Sequence, residues 1–538
     1  TILAIMPDWN PAEIIGTTPR PLAASLYSEL VTRGVWCRAR AALGYRQLGD
    51  TELMLLINNH PYVDVRASFN SFLPAGLADA TGEKLVDAWL DRLQASPEFH
   101  DKVEFEIVPT CLDFCFAQDF PQRYPGLLSD GEFRAYRQAL TDLTREWLDP
   151  GPQGSLQRAI DRAAKLDALQ APAGAREPAY TLLDRASWLL ERCREDGTFS
   201  FAIAARHAFI AEALLRSAVR RGAPAAARLQ EFKRAIRTVT DRMLHEFPLV
   251  CAGELPKQDF YRRYGHLRPG TYEITSLRYD ERDDLFTGAM PATGTHGADA
   301  FALTAAESDA LQRLLAEAGL DKVTPQRLME YAARAIAARE DVKFTFTRVL
   351  SDALSLLHQW GEAHGLSRDD VSFIEWQQLA RMLHKPVMED VDRHFLDIAD
   401  AARRSMAAAN AFRLGHLVFG VGDLYVATLN RSVPNFVGTG SASADVVVLE
   451  ANTPTTVNLK GKVVCIANAD PGFDWIFTKE PGALVTCFGG ANSHMAVRCA
   501  EFGLPAAIGC GEQLYERLVR SGMVELNCAA RIVRPVHG

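Results

Sequence analysis

Hydrophobic and polar positions divide the chain into three zones. In the first, residues 1–120, apolar and polar residues alternate at period two over 62–69 and again over 103–108, which predicts strands. The opening, with Pro7, Pro11, Pro19 and Pro21, predicts extended, irregular backbone. Residues 121–430 instead follow helical spacing. Ile203, Ile210, Leu214 and Ala218 share one face, and Gly222 with Pro224 marks the end of that helix. Thr304 and Glu307 form a capping-box pattern ahead of Leu311, Leu314 and Leu315. Thr324 followed by Pro325 reads as an N-cap with proline at the first helical position. Beyond a break at 430–435, with Gly438 and Gly440 following, short β-branched runs appear at 445–449, 462–467, 483–486 and 506–508, with a helix after His494. Residues 431–538 therefore read as a compact α/β unit on a flexible hinge. The predicted fold class is α+β and multidomain: a mixed segment, a large helical region, then a small α/β domain.

Composition narrows the functions open to such a chain. Its 538 residues are 48% hydrophobic and 23% charged, the balance of a globular protein with a sizeable core. A net charge of −9 argues against a broad nucleic-acid or anionic-membrane surface, while leaving room for a local cationic pocket. The longest strongly apolar runs, such as 53–57, are too short to cross a bilayer, and no signal-peptide pattern opens the chain. Ten cysteines without a CxxC pair, the closest being Cys111 and Cys115, read as reduced thiols of a cytoplasmic protein. A chain opening on Thr1 reads as a processed or truncated product.

Chemistry concentrates in residues 482–511. A buried strand ending at Thr486 runs into Gly489 and Gly490. Asn492 or Ser493 then caps a helix that ends at Gly503, which places His494 on the first turn beside unpaired backbone N–H groups. Such a helix start attracts anions, and the glycines allow close backbone approach. Imidazole is a competent nucleophile near neutral pH, and a phosphoryl group on it would find further donors in Ser493 and Thr486. A histidine that merely caps a helix is the competing reading. The ordered series of strand, Gly-Gly, polar cap, His, helix, Gly-x-Pro, strand and Gly-x-Gly is far more restrictive than a lone histidine.

This segment resembles the phosphohistidine swivelling domain of the phosphoenolpyruvate-utilising enzymes, the group that includes pyruvate phosphate dikinase and phosphoenolpyruvate synthase. The resemblance implies that His494 is phosphorylated at one station and discharged onto an acceptor at another. The family commonly has threonine two residues before the histidine, where this chain has Asn492, which can also hydrogen-bond phosphate. No region the size of the phosphoenolpyruvate-binding barrel follows, and the domain order is similar to rifampin phosphotransferase. Residues 6–16, 61–72 and 469–477 resemble phosphoenolpyruvate synthase-like proteins of surface-polysaccharide gene clusters, a subgroup that includes the L-glutamine kinase of capsule biosynthesis. By this resemblance residues 1–430 bind the acceptor. ATP and Mg²⁺ act through an ATP-grasp domain not found in this sequence, supplied in cis before truncation or in trans. The chain alone is then expected to be unable to charge its own histidine.

For the acceptor, residues 264–281 offer His266, Arg268, Glu273 and Arg278 around a turn forced by Pro269 and Gly270. This stretch resembles the Gly-His-Arg-x-Pro-Gly-Glu stretch of the rifampin phosphotransferase type, with Leu267 and Tyr272 as departures. Arginine there suits a phosphate or carboxylate, and a loop stapled by its own salt bridges is the alternative. Arg66 and Asn70 suit the α-carboxylate and side-chain amide of an amino acid, or simply a strand end. Asp8, Asn10 and Glu13 suit nucleotide or Mg²⁺, or else the capping of a helix at Pro11. No metal-ligating set stands out, since His358 and His364 lack zinc-hydrolase spacing. The sequence thus predicts a dikinase-type phosphotransferase whose acceptor is a small metabolite such as L-glutamine. A hydroxyl acceptor, as in rifampin phosphotransferase, and a non-catalytic role are the alternatives.

Overall fold

The computed structural model describes residues 1–149, 151–169, 179–287, 301–385, 390–425, 433–490 and 493–536. It is an α+β protein with two sheets. The smaller sheet is antiparallel, in the order β2 (Met54–Ile57), β3 (His60–Asp64), β1 (Leu3–Ala4) and β4 (Leu417–Val418), so it ties the start of the chain to the end of the helical region. Helices dominate between these strands. The 39-residue helix Pro325–Ala363 is their axis, capped by Thr324 with Pro325 in its first turn, and the helices Ala179–Arg192 and Phe199–Arg220 pack along it. Thr304 and Glu307 form the expected reciprocal cap.

Two period-two stretches fold otherwise than predicted. Over 62–69 the strand stops at Asp64, whose carboxylate accepts from the Ala67 amide at 3.1 Å and starts the helix Val65–Asn70. Val65, Ser68 and Phe69, spaced i, i+3, i+4, are its buried face, a pattern that alternation conceals. Over 103–108, Val103 and Ile107 sit one turn apart and are both buried on the short helix Val103–Glu106 and its end. The proline-rich opening is also less irregular than predicted. Pro11 and Pro21 each occupy a first helical turn, where the missing N–H removes no bond.

One further feature went unread in the sequence. Thr181–Arg220 forms a continuous helical stretch long and apolar enough to cross a bilayer, and 72% of its most apolar window is buried inside the fold. Its π-helical turn at Cys193–Thr198 packs Gly197 against Phe346 of the axial helix, where an added Cβ would lie 2.7 Å from the Phe346 Cβ.

The C-terminal unit is built on a seven-stranded sheet. Parallel strands β6 (Ser441–Leu449), β7 (Val463–Ile466), β8 (Ala483–Thr486) and β9 (Ala506–Ile508) form its centre. Antiparallel β10 (Met523–Asn527) and β11 (Ile532–Pro535) extend one edge, and β5 (Asn435–Val437) the other. The all-apolar β7 to β9 are buried, as parallel strands covered on both faces should be. Ten free cysteines complete the picture, nine of them buried.

This unit is seated on the helical region along residues 239–286. A single apolar cluster joins Met243, Phe247, Phe260 and Tyr279 to Trp475, Ile476, Met495 and Cys499. Around it, the Asp284 carboxylate accepts from the Thr455 amide at 2.5 Å, and Asn452 bonds the backbone of Thr275 and Leu277 at 3.2 and 3.1 Å. Tyr279 donates to the Gly472 carbonyl at 2.9 Å. Closest of all, a Cβ on Gly472 would lie 2.2 Å from the Arg268 carbonyl carbon and the Pro269 nitrogen. Because that neighbour is backbone, Gly472→Ala should disturb the seating by an overpacking penalty of roughly 1–3 kcal/mol. Small-angle scattering should show an expanded particle for the variant; an unchanged profile and melting temperature would contradict the contact.

Candidate functional site

His494 opens the helix His494–Phe502, capped by Ser493, whose hydroxyl accepts from the Ala496 amide at 3.3 Å. The approach is dictated by Gly489, which holds φ +140°, and where a Cβ would lie 2.9 Å from Ile508. The imidazole is only 4% exposed, yet it borders a partly open cavity of about 210 Å³. Gly490 and Ser493 border the same cavity. Thr486 does not: its hydroxyl accepts from the Gly509 amide at 2.9 Å, tying β8 to the loop after β9. Asn492 lies outside the described residues.

Both ring nitrogens of His494 are engaged. Nε2 meets the Asp474 carboxylate at 2.7 and 2.9 Å, and Nδ1 meets Glu340 at 3.0 Å. Asp474 belongs to the C-terminal unit, whereas Glu340 projects from the axial helix, so the ring bridges the two parts of the chain. Arg498, one turn on and fully buried, lies 3.7 Å from Glu340 and 3.7 Å from Asp241 and pairs closely with Glu501. Burial by itself would lower the pKa of His494, but Asp474 and then Glu340 outweigh it and hold the ring above the ordinary imidazole value. Burial likewise opposes the Glu340 charge, yet His494, Arg339 and Arg498 hold that carboxyl well below its usual range. The ring is therefore an imidazolium donating from both nitrogens. In this arrangement it has no lone pair to offer an electrophile.

The cavity next to this ring mixes aromatic and charged walls. Trp9, Tyr27, Trp36, Phe105, Phe201 and Tyr272 supply the rings. Arg339 and Lys343 project from the axial helix one turn apart and border the cavity with His494. Two cations there can neutralise the charge that develops on a transferring phosphoryl group. Glu13 already faces them: its carboxylate accepts from the Gly490 amide and, with partial burial as the main cause, its pKa is raised. Asp8, by contrast, is committed to the fold, accepting both oxygens' worth of Arg40 at 2.7 Å and Ser68 at 2.6 Å. Asn10 gives no side-chain cap to the helix at Pro11; its amide donates to Glu13 at 3.2 Å.

The other residues singled out from sequence lie away from the cavity. Arg66 pairs with Asp87 at 2.8 Å on the surface, and the Asn70 amide donates to the Arg66 carbonyl at 2.9 Å. Arg268 is buried and spends its donors on Ser351 and on the carbonyls of Glu273 and Ser276. Burial, with help from Arg278, lowers its pKa to about 10. Glu273 accepts from Thr275 at 3.0 and 2.9 Å, and Arg278 pairs with Asp280 and Asp352, both at 2.8 Å. His266 is buried edge-on against Phe344, with ring centroids 4.6 Å apart. These side chains staple a loop whose backbone cradles Gly472. Thr271 and Tyr272, between them, do border the cavity, and Thr271 donates to Asp470 at 3.3 Å.

Glu340, Asp474, Arg339 and Lys343 were not singled out in the sequence. The i, i+4 spacing of Arg339 and Lys343 inside a strongly helical stretch was the available signal; Asp474 meets His494 only through the fold of the C-terminal unit, and Glu340 only when the two parts of the chain meet.

Comparison with known proteins agrees with this geometry. Residues 458–530 match the family model described as PEP-utilising enzyme, mobile domain. The match lies within the C-terminal unit and suggests phosphohistidine-based phosphoryl transfer in general. No curated protein matches.

The clamp makes closure dependent on pH. His494, with its pKa raised on docking, contributes fully below about 6.5 and loses its contribution as pH climbs through the docked value. Glu340, held low, contributes above about 4.5 and is lost as pH falls through its depressed value. Small-angle scattering should thus find the most compact particle between those limits and expansion on the alkaline side, with Glu340→Gln expanding at lower pH than the native chain. Compactness that does not change with pH or with Glu340→Gln would contradict the clamp.

Proposed function

We propose that this chain is the carrier-and-acceptor part of a phosphotransferase in which His494 relays a phosphoryl group from ATP to a small molecule held in the cavity. One observation carries the reading: a histidine at the start of a helix, just after Gly489 and Gly490, borders a cavity that also holds Arg339 and Lys343. The match of residues 458–530 supports the phosphohistidine intermediate.

In this proposal ATP and Mg²⁺ act on an ATP-grasp module in cis or in trans, releasing AMP and phosphate in the manner of dikinases. Charging takes place with the C-terminal unit swung away from Glu340, since the docked ring has no lone pair. On return, the phosphoryl group lies beside Arg339 and Lys343, which balance its charge, and Glu13 is the carboxylate available to the acceptor's proton. In-line positioning and electrostatics supply most of the rate.

L-glutamine is small and charged, whereas the surface the cavity presents is mainly apolar, with aromatic rings set among its charged residues. That lining favours a hydroxyl-bearing acceptor with an apolar body. Arg66 and Asn70, the pair suited to an amino acid, point away from this reading because they lie outside the cavity.

The chain supplied with an ATP-grasp partner and β-labelled ATP should acquire acid-labile label that is missing from His494→Ala. Label persisting in that variant would refute the nucleophile. Arg339→Ala or Lys343→Ala should retain charging but slow discharge onto the acceptor by roughly 10²–10³-fold. Single-turnover loss of label measures this, and unchanged discharge would remove both residues from the transfer step.

A further inference from the structure

The cavity contains an unexplained set of donors. Arg206, on the helix Phe199–Arg220, is 5% exposed and borders the cavity. Its Nη2 pairs with Glu104, while Nε and Nη1 are buried with no hydrogen-bond partner. Trp9 also borders the cavity, and its indole Nε1 is buried and unpartnered. Among the described residues these are the cavity-lining side chains left with buried donors and no acceptor. Buried N–H groups are nearly always paired, so two together on one cavity call for an acceptor atom from outside the chain.

The surrounding structure shows that the donors are held in place. Trp9 adopts φ +55° and Asn10 φ +36°, unfavourable for residues with a Cβ, and the Tyr27 hydroxyl grips the Trp9 carbonyl. The Arg206 guanidinium lies 5.0 Å from the Phe209 ring centre and 5.3 Å from that of Phe72. Phe201 stands edge-on to Trp9 at 6.2 Å and packs on Phe346 at 5.1 Å, so the wall beside the donors is a continuous aromatic surface.

Charge decides what kind of oxygen belongs there. Burial opposes the Arg206 charge, but Glu104 outweighs it, so Arg206 stays protonated and already has its counter-ion. Arg40 is likewise balanced by Asp8. Two charge-balanced arginines and an indole offer hydrogen bonds without surplus positive charge, which favours a carbonyl or similar neutral oxygen over a carboxylate.

We infer that the acceptor is a planar, unsaturated molecule with a transferable hydroxyl and, elsewhere on its frame, an uncharged carbonyl-type oxygen bound by Arg206 and Trp9. This rests on the cavity being the acceptor site and specifies its substrate class. In the transfer itself the N–P bond at His494 breaks as the O–P bond to the hydroxyl forms. Glu13 takes the hydroxyl proton and passes it to the departing imidazole nitrogen; the other ring nitrogen stays protonated throughout, so the carrier returns to the doubly protonated ring seen against Asp474 and Glu340.

Three probes of one shape test this: 6-acetyl-2-naphthol, 6-ethyl-2-naphthol and 6-hydroxy-2-naphthoate, titrated against the full chain by calorimetry without ATP. The acetyl compound should bind about tenfold or more tightly than the ethyl compound, and more tightly than the naphthoate. The acetyl preference should vanish in Arg206→Met/Glu104→Gln, which leaves no buried carboxylate unpaired. It should shrink in Trp9→Phe, which keeps the ring and deletes only the N–H, and which carries the test alone if the double variant does not fold. Equal affinity for acetyl and ethyl compounds, tighter binding of the naphthoate, or an acetyl preference unaltered in the variants would overturn the inference. Since these titrations need no phosphorylation, they stand or fall independently of whether His494 takes up label.

Discussion

A buried imidazolium held between two carboxylates organises this structure. Removing a positive ring and two negative groups from water is unfavourable unless all three meet with good geometry, which they do at 2.7 to 3.0 Å. Because Asp474 travels with the ring and Glu340 does not, this ionic contact exists only when the C-terminal unit is seated. Breaking such a buried contact by deleting one partner typically costs about 3–5 kcal/mol. A phosphoryl group brings negative charge to the same place. In the proposed function the ring's charge state and its position are therefore coupled: the doubly protonated ring fits the seat, and a phosphorylated ring would need different neighbours.

The seat itself is made by a loop that reaches the cavity only through Thr271 and Tyr272. Arg268 and Arg278 bond to Ser351 and Asp352 of the axial helix and Glu273 accepts from Thr275, leaving a backbone surface on which Gly472 lies without a side chain in the way. The cavity between the seated unit and the helical region is then completed by short pieces from distant parts of the chain. Residues near 6–14 and 101–105, the axial helix and Thr271–Tyr272 all reach it, with the C-terminal unit closing one side. In the proposed function, movement of the C-terminal unit would open such a site to the acceptor, and its return would exclude water.

Much of this was legible in the sequence where local rules dominate. The four parallel strands of the C-terminal sheet, a polar cap ahead of His494, the glycines and the caps at Thr304 and Thr324 follow from residues near one another in the chain, whereas the antiparallel edge strands β5, β10 and β11 were not read. The failures have identifiable causes. Alternation over 62–69 and 103–108 was overridden by an Asp64 cap and by i, i+4 burial. The prolines of the opening lie at helix starts, which the extended reading missed. In the site, His494 is marked by its own neighbours, whereas Glu340 lies 154 residues away and its role arises only through tertiary contact. Arg268 illustrates the converse: an arginine in a turn looks like a ligand clamp until its buried carbonyl partners are seen.

The protonation state of the His494 ring is read directly by nitrogen NMR. In the unphosphorylated chain labelled with ¹⁵N-histidine at neutral pH, with resonances assigned through His494→Gln, both His494 nitrogens should show imidazolium shifts and attached protons. Phosphorylation should abolish that signature. A neutral ring carrying one proton, in the compact unphosphorylated protein, would contradict the clamp and the coupling of charge to position built on it.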